Sequence, residues 1–377
     1  MAFKVLIAGQ PKFMHHHGYS VIMVSGDGTE RNSVIESEGC DHIIIPMTRS
    51  ITPLQDLRCI YLLRKLFKKY KPDIVHTHTP KAGLLGMLAA KSVGVKVRIH
   101  TVAGLPLMAE NGLKKNVLML TERLTYASAT HVWPNSTSLL NFILDNKLAD
   151  KEKLSIIGHG SSNGIDLHRF SKMNLDPVTQ IKVRNSIPSK PGFKILCVGR
   201  MVHDKGIEEL VNAFTVLQRL YDLQLILIGP YEEELDPLPP YILDIIKNNA
   251  DITHVTWSDE VEYYMDFADL LVHPSHREGF PNVILQAGAM RLPVICSNIP
   301  GNNDIVNHNK TGLLFETKNH HDLVEKIKFA LDNKTIVDAY ALSLLNEITE
   351  LYERQKVHES ILNSYNHLLT TNGTEQK

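Results

Sequence analysis

The chain is predicted to be an α/β protein of two βα-rich domains, each built on a parallel sheet, and three observations carry that expectation. Its 377 residues exceed what one hydrophobic core usually organises. Short apolar runs alternate with longer amphipathic ones, as in βα units that build parallel sheets. The alternation falls into two series separated by a dense turn-forming loop, Gly158-His159-Gly160-Ser161-Ser162-Asn163-Gly164.

In the first series, residues 4–8, 19–24, 42–46, 74–78, 95–102, 131–134 and 153–157 read as strands, and 53–70, 81–93 and 113–129 as helices. Residues 1–6 are too short for a signal peptide and belong to the first strand. Only the stretch from Gly9 to Gly18 separates the first two strands. A right-handed crossover between parallel strands takes a dozen or more residues. The expectation is therefore that residues are missing from this βα unit, with natural truncation as the alternative.

The second series has strands at 194–198, 223–228, 252–255, 270–273, 293–296 and 312–315, and helices that include 207–220, 282–290 and 321–332. Three segments result: a first domain over 1–172, a second over 173–345, and a helical segment over 346–377 that returns to the first domain. Residues 357–369 read as a last amphipathic helix, with a fraying polar tail from Thr370.

Hydrophobic residues make up 43% and charged residues 21%, an ordinary globular balance, and no apolar run approaches the ~20 residues of a membrane-spanning helix. Cys40, Cys59, Cys197 and Cys296 lack metal-type spacing, which favours reduced thiols and a cytoplasmic setting. The net charge of −1 hides an asymmetry. Through Lys172 there are 22 basic and 13 acidic residues, against 18 and 28 from Met173 onward. A basic first domain suits an anionic membrane surface or a phosphate-bearing acceptor, and chance unevenness is the plainer reading. No nucleic-acid partner is expected.

Two motifs point to chemistry. Gly199-Arg200, followed by Lys205-Gly206, joins an apolar strand to a helix. Glycine allows close backbone approach, and the two cations suit a diphosphate, although a basic surface loop has the same composition. Arg277-Glu278-Gly279-Phe280-Pro281-Asn282-Val283 follows a second buried strand and opens another helix. First-turn amides there face an incoming phosphate, and ligands of open α/β sheets collect at the carboxyl ends of strands. Glu278 serves either as the carboxylate facing a sugar ring or as a charge complementing a helix dipole. Gln286 shares its crevice or is solvated.

These segments, with Pro293-Val294-Ile295, Pro300-Gly301 and Thr311-Gly312-Leu313-Leu314, resemble in order the retaining glycosyltransferases of family four, which have the GT-B fold, and the resemblance implies two Rossmann-like β/α/β domains facing each other across a cleft. Pro72-Asp73-Ile74-Val75-His76-Thr77-His78 and the 160–166 crossover are similar to members that build bacterial capsule and lipopolysaccharide sugars. The likeness spans essentially the whole chain and is weaker in the first half. It implies that Gly199, Arg200 and Lys205 hold the donor diphosphate with the amides of Asn282 and Val283. Glu278, the catalytic candidate, and the Gly279-Phe280 backbone would contact the transferred sugar. Family members usually carry a second glutamate, gripping the ribose, where this chain has Gln286. They often carry a histidine where it has Ala103, just before Gly104.

On the acceptor side His78, His100 and Gly104 are weak candidates. His76 and His78 sit two apart at a strand end, a spacing that suits a metal pair only if a third ligand exists, and none stands at a telling distance. The run His15-His16-His17 reads as structural or solvated. The sequence has no Asp-x-Asp pair, so no metal or other cofactor is expected, and leaving-group charge falls on Arg200, Lys205 and the helix start. The helix over 53–70 mixes Arg58, Arg64, Lys65, Lys68 and Lys69 with leucines. It fits either contact with an anionic membrane or a core-facing helix with a basic outer side.

The expected function is transfer of a sugar, without a metal and with retention, from a nucleotide diphosphate donor, a UDP-sugar by preference. The acceptor is a glycan or a polyprenyl-diphosphate-linked glycan, and the enzyme is cytoplasmic or peripheral on the inner membrane. A sugar-nucleotide epimerase of the same architecture and a degenerate nucleotide-sugar-binding protein are the alternatives.

Overall fold

The computed structural model describes residues 2–48, 50, 52–108, 112–188, 190–232 and 236–374. They form two compact units, one made of the residues up to Gly164 together with those from Arg354 onward, the other running from Ile165 to Glu353.

The first unit contains α1 (Ala2–Val5), α2 (Gln10–His16), β1 (Ile22–Ser25), α3 (Arg31–Glu38), β2 (Asp41–Ile44) and α4 (Pro53–Tyr70). There follow β3 (Ile74–Thr77), α5 (Pro80–Ser92), β4 (Val97–Val102), α6 (Gly112–Ser128), β5 (His131–Pro134) and α7 (Thr137–Asp145). The second unit contains α8 (Pro177–Ser186), β6 (Phe193–Val198), α9 (Ile207–Leu217), β7 (Leu223–Ile228), α10 (Pro240–Asn248), β8 (Ile252–Val255) and α11 (Val261–Phe267). It continues with β9 (Leu270–His273), α12 (Asn282–Ala289), β10 (Val294–Ser297), β11 (Leu313–Phe315), α13 (His320–Asp332) and α14 (Lys334–Leu351). A final helix, α15 (Arg354–Thr374), rejoins the first unit.

The second unit is built on one parallel sheet in the order β11-β10-β9-β6-β7-β8. Its inner strands are buried on both faces, so β7 (Leu-Gln-Leu-Ile-Leu-Ile) and β9 (Leu-Leu-Val-His) are buried at every residue and mostly apolar rather than alternating. One face packs on α9 and α13 through Leu210, Phe214, Leu323 and Ile327, the other on α12 and α14 through Ile284, Leu285, Leu344 and Ile348. From β6 the chain moves outward through β7 and β8, then returns to the other side of β6 as β9. The strand order therefore reverses between β6 and β9, which is where open α/β sheets place their ligands.

In the first unit β3, β4 and β5 form one parallel sheet, and β1 pairs with β2 as a separate one. Helix α15 closes the unit by packing Val357, Ile361 and Tyr365 against Met14, Val97, Ile99 and Trp133.

Four expectations are corrected. Residues 4–8 are not a strand: they hold the end of α1 and a turn. The residues up to Gly18 are too few to return to a parallel neighbour, so the segment folds locally. Gly9 opens α2 with a positive φ of 80°, and the Glu38 carboxylate accepts from the amides of Gly9 (2.7 Å) and Lys12 (3.1 Å), which the helix cannot satisfy itself. Residues 153–157 contribute only a single bridge, Leu154 to Val132, after a short turn of helix at Lys151–Lys153. The boundary between the units is Gly164/Ile165 rather than 172/173, and the return begins at Arg354 rather than 346, because Ile165 donates its amide to the carbonyl of Tyr352 (2.8 Å) and both ends of the insertion leave together. Helix α15 also continues past Thr370, whose hydroxyl, like that of Thr371, bonds back to the preceding turn.

Candidate active site

Two loops leave the sheet at the reversal point, one after β6 (Gly199–Gly206) and one after β9 (Pro274–Pro281). They are stitched together. Asp204 accepts from the amide of His276 (2.8 Å) through its carbonyl, and its carboxylate pairs with Arg277 (2.6 Å). The hydroxyl of Ser275 also donates to the Asp204 carbonyl (3.3 Å). Glu209, in the first turn of α9, meets the His276 ring at 2.8 Å.

Gly206 makes this closeness possible. Its φ is 68°, and a Cβ there would lie 2.0 Å from the carbonyl oxygen of Pro274. Gly301 does the same from the other side, with φ 90° and a Cβ position 2.7 Å from the carbonyl oxygen of Gly279 and 3.1 Å from Cβ of Glu278. The Glu278-Gly279 turn is thus held between the β6 loop and the loop after β10.

At the centre, Lys205 Nζ lies 2.5 Å from Oε1 of Glu278, and His273 Nε2 lies 3.0 Å from the same oxygen. Burial alone would raise the Glu278 carboxyl. The Lys205 charge and the hydrogen bond from His273 outweigh it and hold the group well below the usual carboxylate range, so Glu278 is ionised at any working pH. Cys197, one residue before the β6 terminus, is pushed up to about 12 by burial and is inert.

Helix α12 starts directly after this turn, with Pro281 as its N-cap. Ile284, Leu285, Ala287 and Gly288 are buried, whereas Asn282, Val283 and Gln286 are half-buried on the opposite face at helical spacing. The amides of Asn282 and Val283 belong to the first turn and have no intrahelical acceptors, an arrangement that is able to receive an anion. Phe280 is buried against Tyr352, ring centroids 5.3 Å apart, so at this position only its backbone faces outward from the core.

Arg200 is placed differently. Its guanidinium pairs with the Glu232 carboxylate at 2.5 Å, not with Glu278. A cavity of about 350 Å³ opens beside that pair, lined by Met201, Tyr231, Leu238, Ile246 and His254 among others, and includes neither Lys205 nor Glu278.

The remaining candidates lie in the first unit. His100, at 2% exposure, is buried beneath Gly83 and bonds Thr77 Oγ1 at 2.8 Å, and burial lowers its pKa to about 4. The His78 ring lies against that of His76, centroids 4.0 Å apart and tilted by 34°, and burial with the nearby His100 lowers its pKa to about 3. His76 is taken up by Tyr365 Oη (2.5 Å) and Thr101 Oγ1 (2.7 Å). His76 and His100 are thus held by hydrogen bonds within the unit, whereas His78 is half-buried and its Nδ1 has no hydrogen-bond partner among the described residues. Among the described residues no group of three or more His, Cys, Asp or Glu is disposed to hold a metal ion. Gly104 is half-buried in the loop after β4.

Sequence reasoning missed His273, Asp204, Glu209 and His276. A histidine as the last residue of a wholly apolar strand was the available signal for His273. The others are recognisable only once the two loops are seen to touch.

Residues 179–343 match the family described as glycosyl transferases group 1, and residues 12–160 match the glycosyl transferase 4-like domain. Among curated relatives, the chain is 34% identical over 97% of its length and 94% of the other's to a capsular polysaccharide biosynthesis glycosyltransferase, CapM, of Staphylococcus aureus. It is 28% identical over 77% of its length and 74% of the other's to an Escherichia coli UDP-Gal:alpha-D-GlcNAc-diphosphoundecaprenol alpha-1,3-galactosyltransferase. Among solved structures, a glycosyltransferase from Rickettsia africae superimposes with a TM-score of 0.78 at 22% identity, covering 97% of this chain and 96% of that one. Anabaena HepE in complex with UDP and glucose gives 0.78 at 15%, covering 96% of each. The fold is GT-B.

Proposed function

Because the chain belongs to the group 1 glycosyl transferases, and is therefore a glycosyltransferase, we propose that it moves a sugar from a UDP-sugar to a lipid-linked or polysaccharide acceptor in capsule or lipopolysaccharide synthesis, with retention and without a metal ion. The relatives that act in capsule synthesis and on a diphosphoundecaprenol-linked sugar support the pathway and the acceptor class. The observation that carries the reading is the Lys205–Glu278–His273 cluster set beside the open start of α12, at the point where the strand order reverses.

The chemistry follows from the charges. The donor diphosphate binds at the amides of Asn282 and Val283, and Lys205 turns part of its charge from Glu278 toward the phosphate. As the anomeric bond lengthens, negative charge grows on the leaving oxygen, where Lys205 and the helix start stabilise it. Positive charge grows on the ring, where the ionised Glu278 offsets it. Arg200 exchanges Glu232 for phosphate. Gln286 offers the ribose an amide oxygen and two donors. Gly279 and the Phe280 backbone border the sugar.

The test incubates the purified chain with UDP-sugars, with and without a polyprenyl-diphosphate glycan, in chelator. Release of UDP only with acceptor, and an α-linked product from an α-linked donor, is the expected result. An inverted product, or activity abolished by chelator and restored by a divalent cation, contradicts the corresponding part. A changed sugar nucleotide formed without acceptor supports epimerisation instead.

A further inference from the structure

We propose that His273 is a positioning residue, which holds the Glu278 carboxylate in place while the ammonium of Lys205 turns to the donor phosphate. The inference deepens the proposed function and rests on that reading for the turning of Lys205. Lys205 Nζ at 2.5 Å and His273 Nε2 at 3.0 Å both reach Oε1 of Glu278. An ionised carboxylate only accepts, so the ring carries a proton on Nε2 and donates it. Among the described residues no hydrogen bond reaches Oε2, which is thereby the oxygen left for the sugar ring.

The two donors stand on unlike footings. His273 ends β9, where it pairs in register with Cys296 of β10, and it is 5% exposed. Its ring is short-tethered to a buried strand and so keeps one position. Lys205 lies in the loop after β6, at the end of the short turn of helix His203–Lys205, and its charge rides on a flexible four-carbon stem. Of the two, the lysine is the one able to leave. Once it does, His273 is the donor that stays.

The surrounding charges show why a second donor is needed. Burial pushes the Glu278 carboxyl up, and the Lys205 charge, then the His273 hydrogen bond, bring it below the usual range. Turning the ammonium away removes the strongest effect opposing burial. The carboxyl then moves toward protonation, and a neutral acid has no charge to set against the sugar ring. The other basic groups of the same two loops are engaged elsewhere. Arg277 pairs with Asp204 at 2.6 Å, Arg200 with Glu232 at 2.5 Å, His276 with Glu209 at 2.8 Å and His203 with Glu208 at 3.4 Å. From the loop after β10 the backbone of Gly301 closes on Glu278, and the carboxylate of that loop, Asp304, accepts from the Gly301 amide (2.9 Å). The residues that α12 presents beside the turn, Asn282 and Gln286, carry no charge.

The test follows the carboxyl resonance of Glu278, assigned by its loss in Glu278→Gln, against pH in the isotope-labelled full chain. Lys205→Ala stands for a lysine that has turned away. In Lys205→Ala/His273→Leu the titration midpoint should lie at least ~one pH unit above that of Lys205→Ala. Lys205→Ala/His273→Gln, which keeps a donor where Nε2 was, should bring it most of the way back. Thermal melts check the fold of each variant, and His273→Asn, whose amide ends short of Oε1, replaces a leucine variant that unfolds. In steady state His273→Leu should lower kcat at least ~tenfold, the worth of one hydrogen bond to a charged group, with little change in donor KM. Its acid limb should move to higher pH, because the ionised form is lost as pH falls through the raised value. His273→Gln should restore most of the turnover and return the limb. Equal midpoints in Lys205→Ala and Lys205→Ala/His273→Leu, or an acid limb unmoved in His273→Leu, would overturn the proposal. The titration uses neither donor nor acceptor, so a failure to transfer sugar counts against the proposed function and leaves the midpoints to decide the role of His273.

Discussion

The ammonium of Lys205 and the carboxylate of Glu278 lie 2.5 Å apart although 73 residues separate them in the chain. In the proposed reaction the pair divides the labour, the cation turning to the leaving group while the anion remains charged. Glu278→Gln should lower kcat at least ~100-fold with little change in donor affinity, and Lys205→Ala should harm both. Steady-state kinetics with calorimetric donor binding decides it. Comparable kcat in wild type and Glu278→Gln would remove Glu278 from its assigned role.

Gly206→Ala tests the contact that joins the two loops. The added methyl meets the Pro274 carbonyl at 2.0 Å on a backbone with φ 68°, so one loop must move. A loss of about 2–3 kcal/mol in urea denaturation is expected, together with a drop in turnover as Lys205 shifts away from Glu278. Wild-type stability and turnover would show that the close approach is not needed.

Arg200 is engaged by Glu232. If the diphosphate has to displace that carboxylate, Glu232→Gln should lower the donor KM about threefold, the scale of a half-exposed ion pair, without raising kcat. A raised KM would mean that Glu232 itself binds the donor.

Gln286 supplies a further check. Gln286→Glu replaces a neutral acceptor by a charged one on the half-buried face of α12, and should tighten binding of the ribose-bearing donor about fivefold. Equal affinities would place the ribose elsewhere.

Stability should fall in acid from histidines buried uncharged. His100 and His358 are lowered to about 4 and about 3, in both cases chiefly by burial. Below the unfolded value of about 6.5 the unfolded chain takes up protons that the native state refuses. Stability therefore drops as pH falls from there toward the folded values. Between pH 6.5 and 4.5 each histidine should cost about 2–3 kcal/mol, and His358→Gln should flatten the decline. A flat stability profile over that range would show that these rings take up protons in the native state.

The second unit was legible because its strands are mostly apolar runs between turn-rich loops, as at β7 and β9, and its candidate site residues follow strand ends. The meeting of Lys205 with Glu278 followed from where such sheets put ligands. Its stitching did not, because Asp204, Glu209 and His276 have no pattern of their own. Arg200 was assigned to the phosphate from its position in the motif, and nothing in the sequence linked it to Glu232, 32 residues away. The first unit was harder. Residues 4–8 have strand composition, but a strand also needs a neighbour within reach of its connection, which composition does not encode. The exposed leucines of α6 had no counterpart in the sequence, since periodicity shows that a helix has an apolar face without saying how many faces are covered.

The fate of the nascent chain follows from the way α15 closes the first unit. Residues 165–353 are contiguous and can acquire their core as soon as they clear the ribosome. The sheet of β3, β4 and β5 must wait for Val357, Ile361 and Tyr365, which are synthesised after the whole second unit. Premature termination near residue 350 would release a chain whose second unit folds while the first exposes Trp133 and Ile99, a substrate for quality-control proteases.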